Sequence, residues 1–112
     1  MIFQRADILL TDFAPARDGE ANYTRPAIVI TNNRANMIAP VVIVVPITSN
    51  TDRIYPIELA LPLNRTGLDR DSKAQPNLIQ HVNTNRLIKK LGFVPDDLML
   101  ELDSRVREHL GL

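Results

Sequence analysis

Residues 40–48 read PVVIVVPIT. The run is apolar at nearly every position, so neither face of a strand built from it faces water, and a central place in a sheet is predicted. Pro46 cannot donate to a ladder, and a bulge or a break in pairing is expected there. On the N-terminal side, DILLTDF (7–13) and PAIVIT (26–31) read as two further strands. On the C-terminal side, YPIELALPL (55–63) alternates Ile57, Leu59 and Leu61 against Glu58 and Ala60. That alternation is the pattern of a half-buried antiparallel strand. SKAQPNLIQHV (72–82) reads as a less regular strand, interrupted by Pro76.

Beyond residue 83 the period changes. TNRLIKKLG (84–92) places Thr84 as an N-cap and Gly92 as a C-terminal stop, which predicts a short helix. VPDDLMLELDSRVREHLGL (94–112) is the strongest helical pattern. Pro95 starts it, and Asp96 and Asp97 occupy the first turn, where the helix dipole favours anions. Leu98, Leu102, Val106 and Leu110 form one apolar stripe. Glu101–Arg105 and Asp103–Arg107 have the spacing of exposed ion pairs. The fold class that follows is mainly β with some α: a small, strongly bent antiparallel sheet or barrel followed by a C-terminal helix.

At 112 residues, one domain spanning 1–112 is expected. Aromatic residues make up only 4%, so aliphatic side chains must do the packing, and self-association would bury more of them. The absence of cysteine removes disulfides and thiolate metal sites from consideration. No basic segment followed by a long apolar core opens the chain, and IAPVVIVVPI (38–47) is too short and proline-broken to span a bilayer. A soluble, cytoplasmic protein without membrane association is expected.

The net charge is zero, but its distribution is uneven: residues 96–112 hold five acids against two bases, leaving the preceding chain basic. Ten of the thirteen bases are arginines, whose planar fork suits phosphate. Several stand in or beside connections: Arg17 lies in APARDGEANYT (14–24) and Arg25 directly follows it, Arg53 lies in SNTDRIYP (49–56), and Arg65 and Arg70 lie in PLNRTGLDRD (62–71). Gathered on one face they would form a cationic wall.

Chemistry is not otherwise signalled. His81 and His109 are far apart and match no metal-ligand spacing, so neither metal nor cofactor is implied. Ser72 reads as a turn or strand hydroxyl and Glu20 as a solvated loop charge. On residues alone, Arg25 is an exposed arginine beside a proline and Thr48 a β-branched residue in a strand.

Four short motifs occur in order: RP at 25–26, PITS at 46–49, RDS at 70–72, and a C-terminal helix ending HLGL. Together, and over nearly the whole chain, they resemble the MazF/PemK family of toxin endoribonucleases. The resemblance implies an SH3-like β-barrel with a C-terminal helix, of the MazF/CcdB type, assembled as a homodimer. It implies the toxin of a type II toxin–antitoxin system that cuts single-stranded RNA at short sequences without a metal, leaving 2′,3′-cyclic phosphate and 5′-hydroxyl ends. A cognate antitoxin would lay an acidic, extended segment over the RNA groove. The family's catalytic arginine and threonine fall on Arg25 and Thr48, and Glu20 matches a supporting acid. Arg17, Asn32, Ser49, Arg53, Arg65, Arg70 and Gln80 are the expected RNA contacts.

The chain departs from the family at three places. Ala6 replaces a frequent glycine, a change expected to matter little. Ala21 stands where glutamine is usual, and NLIQH (77–81) replaces DQIRT, so base preference is expected to differ. A CcdB-like poison that binds gyrase without cutting nucleic acid is the alternative on the same fold.

Overall fold

The computed structural model describes residues 1–13 and 23–112. Among these, seven strands join in one curled antiparallel sheet: β1 (Asp7–Asp12), β2 (Thr24–Val29), β3 (Val41–Thr48), β4 (Leu59–Leu61), β5 (Ser72–Ala74), β6 (Gln80–Asn83) and β7 (Leu87–Phe93). The order is β4-β5-β3-β2-β1-β7, with β6 also paired to β3. Two one-turn helices, α1 (Asn33–Asn36) and α2 (Leu63–Thr66), sit in connections, and α3 (Asp96–Leu110) closes the chain.

The central place of β3 follows from its sequence. It pairs with β2 on one side and with β6 and then β5 on the other. Pro46 marks the change of partner: β6 pairs up to Val44 and β5 begins at Ile47. Between them the Pro46 carbonyl still accepts from the Gln75 amide, 2.9 Å away.

Alternation along the strands builds two cores. One face carries Ile8, Ile28, Val45, Ile47 and Leu61 and packs on Val94, Leu98, Met99 and Leu102. The other carries Leu9, Ala27, Val29, Val42 and Val44, covered by Val82 and Leu87 as the chain curls back. Because successive side chains change face, residues two apart on one strand share a side.

Four expectations are corrected. Residues 84–92 are not a helix: a single 3₁₀ turn (Thr84–Arg86) leads into β7, which pairs with β1. Gly92 stops no helix; a Cβ there would lie 2.0 Å from the Thr66 carbonyl oxygen, so the backbone of β7 needs glycine to pass the end of α2. The strand expected over 55–63 is formed only at Leu59–Leu61, and Glu58 is buried, not solvent-facing. Ala6 matters more than expected: its φ of 79° lies in the left-handed region that glycine tolerates and alanine resists. It is held there because its N–H donates to Val29 and its carbonyl accepts from Val94.

Helix α3 begins after Pro95 with Asp96 and Asp97 in its first turn and ends at Gly111, whose left-handed backbone caps the last carbonyls. Leu98, Met99 and Leu102 are buried and Val106 partly so, while Leu110 is half exposed and leaves the stripe. Arg105 pairs with Glu101 as spaced. Asp103 instead binds Arg5, which also donates to the Ile30 carbonyl and so staples the helix to the sheet.

Candidate functional site

The β2–β3 register pairs Ala27 with Pro46, Ile28 with Val45 and Val29 with Val44. Continued two residues beyond its last pair, Ala27–Pro46, the same register brings Arg25 toward Thr48. Arg25 is two residues from Ala27, and Thr48 is four from Val44, so both belong to the face of the second core. Pro26 biases Arg25 to extended backbone, keeping it in the strand as β2 begins.

The Arg25 side chain folds across the end of β3. Its Nε donates to the Ile47 carbonyl at 3.0 Å, its Nη2 donates to Gln75 Oε1, and its Cζ lies 5.6 Å from the centre of the Tyr23 ring. A guanidinium has five N–H donors. Among the described residues two are engaged, and three remain for an anion. Thr48 is half-buried, and its Oγ1 accepts from the Asn50 amide at 3.3 Å. That bond uses a lone pair of the Thr48 oxygen, so the hydroxyl can still donate its own proton.

Behind this pair lies a network that sequence reasoning did not anticipate. Lys73, opposite Thr48 on β5, is almost fully buried. Its Nζ donates to Glu58 Oε1 at 2.9 Å and to the Arg53 carbonyl at 2.6 Å. Glu58 Oε1 also accepts from the Tyr55 amide, and Oε2 accepts from Gln75 Nε2 at 3.3 Å. Burial alone would push the Glu58 carboxyl up; the Tyr55 amide, Lys73 and Gln75 together outweigh it and hold it below its ordinary value. Nothing in the sequence signalled it, because the alternation around Glu58 reads as a solvent-facing position. The burial of Glu58 and Lys73 depends on the turn at Tyr55–Glu58, which no local pattern revealed.

The expected RNA contacts divide. Arg53 is exposed near the network, its Cζ 5.7 Å from the centre of the Tyr55 ring, and Ser49 is exposed immediately after Thr48. Gln80 is exposed and lines a groove of about 400 Å³ with Phe13, His81, Asn83 and Arg86. By alternation from Val82, Gln80 shares the face of Arg25. Asn32 instead caps α1, accepting from the Ala35 amide. Arg65 forms a two-pronged bridge to Asp97 at the start of α3, which raises its own pKa and lowers that of Asp97. Arg70 lies beside Asp69 at 3.6 Å. Of the five arginines expected in a cationic wall, Arg65 is thus turned toward the start of α3 in an exposed ion pair. Arg17 and Glu20 lie outside the described residues. Among the described residues, no group of three or more histidine or acidic side chains is placed to hold a metal, and no helix is long and apolar enough to cross a membrane.

Residues 4–110 match the family model of the PemK-like, MazF-like toxin of type II toxin–antitoxin systems. The chain is 40% identical over 116 residues to the endoribonuclease MazF9 of Mycobacterium tuberculosis, covering 99% of this chain and 98% of the relative. The fold is similar to that of MazF in a MazE–MazF crystal structure from Deinococcus radiodurans, with a TM-score of 0.85, 21% identity, and coverage of 100% of this chain and 98% of the other. It is also similar to an endoribonuclease in complex with its cognate antitoxin from a mycobacterial species, with a TM-score of 0.75, 18% identity, and coverage of 97% and 93%.

Proposed function

The chain belongs to the PemK-like, MazF-like toxin family of type II toxin–antitoxin systems, and from that membership we propose that it is an endoribonuclease acting through Arg25 and Thr48. The substrate is single-stranded RNA, cut without a metal to 2′,3′-cyclic phosphate and 5′-hydroxyl ends. In this reaction the ribose 2′-hydroxyl gives up its proton as its oxygen attacks the adjacent phosphorus, and the bond from phosphorus to the 5′-oxygen of the next nucleotide breaks as that oxygen takes up a proton. The nucleophile belongs to the substrate, so the protein must align it and stabilise the charge that builds on the phosphate oxygens.

The observation that supports this reading is the register of β2 and β3, whose continuation puts Arg25, with three donors unengaged among the described residues, and Thr48 on one face of the sheet. Arg25 supplies two parallel hydrogen bonds to the non-bridging oxygens and Thr48 a third. A guanidinium stays protonated in proteins and does not shuttle protons; Arg25 stabilises charge, and a water, Glu20 or His81 carries the protons. Ser49, Arg53 and Gln80 contact the RNA on either side.

The remaining parts of the reading follow the same membership. A single domain of residues 1–112 works in the cytoplasm as a homodimer, and a cognate antitoxin with an acidic, extended segment covers the groove. Self-association is supported by exposed apolar residues around a shallow hollow, Ile2 at 99% and Met37 at 84% relative exposure, with Ile38 nearby at 83%. Arg25→Ala tests the nuclease reading. In a chelator it should cut RNA more slowly by orders of magnitude with the fold intact, and cleavage at the wild-type rate would refute it. Gyrase inhibition without RNA cleavage would favour the CcdB-like alternative.

A further inference from the structure

We propose that Gln75 is a positioning residue for Arg25, and that the buried Glu58–Lys73 pair exists to hold the Gln75 amide in one orientation. The inference rests on the nuclease reading above. It begins with what each group is able to do. A carboxylate only accepts hydrogen bonds, so the side of Gln75 that meets Glu58 Oε2 must be its NH₂ group. The amide oxygen is then obliged to face the other way, and there it accepts from Arg25 Nη2. Glu58 is fixed in turn by the Tyr55 amide and by Lys73 Nζ, and Lys73 by the Arg53 carbonyl. Each link constrains the next, from a buried ion pair to the plane of one guanidinium.

The second half of the argument concerns charge. A carboxylate placed directly on Arg25 would orient it as well, but would cancel much of the positive charge needed at the phosphate. An amide orients without cancelling. The negative charge of Glu58 lies one residue further back and is already neutralised by Lys73 at 2.9 Å. Arg25 is thus held at two of its nitrogens, Nη2 by Gln75 and Nε by the Ile47 carbonyl, while its charge stays available. Preorganisation of this kind is worth most in the transition state, where a small misplacement of a donor is costly.

The test is Gln75→Leu, measured in three ways on the whole protein. Single-turnover cleavage should fall about 10- to 100-fold, while the Kd for the same RNA carrying a 2′-deoxy group at the scissile nucleotide changes much less. In an Arg25→Ala background the added Gln75→Leu should cost nothing further, because its effect runs through the missing guanidinium. By nitrogen-15 NMR, rotation about the Arg25 Cζ–Nη2 bond should be slow in the wild type and fast in Gln75→Leu, with the Nε resonance bonded to Ile47 retained as proof of folding. The proposal is overturned if Gln75→Leu cleaves like the wild type, if its loss is the same with and without Arg25, or if the Nη2 rotation does not change. These results differ from failure of the nuclease reading itself, which would show as full activity in Arg25→Ala alone.

Discussion

Glu58→Gln removes one charge from the buried pair and leaves Lys73 with no anion. Both side chains are below a tenth exposed, and Nζ and Oε1 are 2.9 Å apart. At an effective dielectric constant of about 20, two unit charges at that distance attract by roughly 5–6 kcal/mol, much of which offsets their desolvation. Removing one partner forfeits the attraction and keeps the desolvation of the other, a loss of about 3–5 kcal/mol. Discharging an ordinary lysine at pH 7 costs roughly 5 kcal/mol, which sets the ceiling. Glutamine keeps the amide acceptor for Tyr55, so the lower half of the range is expected, with Tm falling by about 10–20 °C. The double variant Glu58→Gln/Lys73→Met should return to within about 2 kcal/mol of the wild type, since no charge is then left buried. Urea unfolding at fixed protein concentration measures both, concentration being held because assembly contributes to stability. The same comparison has a pH signature. The folded Glu58 carboxyl sits below its ordinary value of 4.5, so the folded state binds fewer protons than the unfolded one. Its contribution is present above that value and is lost as pH falls through the lower folded value. The wild type should therefore lose stability more steeply than Glu58→Gln below pH 4.5. A loss under about 1 kcal/mol in Glu58→Gln, or a double variant less stable than the single, would refute the reasoning.

Ala6→Gly relieves a left-handed residue, worth about 1–2 kcal/mol, against roughly 0.5–1 kcal/mol of added chain entropy, so a slight gain in Tm is expected; a clear fall would contradict the strain. Gly92→Ala drives a Cβ to within 2.0 Å of the Thr66 carbonyl oxygen, and should cost at least the roughly 1–3 kcal/mol typical of overpacking, read by the same unfolding assay. Arg65→Ala should leave RNA cleavage and its salt dependence unchanged, because that guanidinium is committed to Asp97; a flatter salt dependence of RNA binding would restore Arg65 to the substrate groove.

The strands with clear alternation or full apolarity, β1, β2 and β3, were legible because burial on a sheet imposes the same rule that the eye applies to the sequence. So was α3, whose Pro95 start, acidic first turn and Gly111 stop are all local. Strand β7 was not. In LIKKLGF the apolar residues Leu87, Ile88 and Leu91 have helical spacing, and two register shifts against β1 remove the period of two. Pairing with a distant strand overrode the local preference, and Gly92 is explained by a contact with residue 66 that no neighbouring residue announces. Arg25 and Thr48 stood out only through the family resemblance. Their support, Glu58, Lys73 and Gln75, was hidden because an alternating strand pattern placed Glu58 in solvent.

The guanidinium of Arg25 and the hydroxyl of Thr48 should meet a single phosphate. A structure of the protein bound to its target RNA, with the attacking 2′-hydroxyl replaced by hydrogen, measures this directly. The account predicts both groups within hydrogen-bond distance of the non-bridging oxygens at the scissile position, with Gln75 still seated on Arg25. A scissile phosphate lying elsewhere on the sheet, with Arg25 turned away from it, would contradict the account.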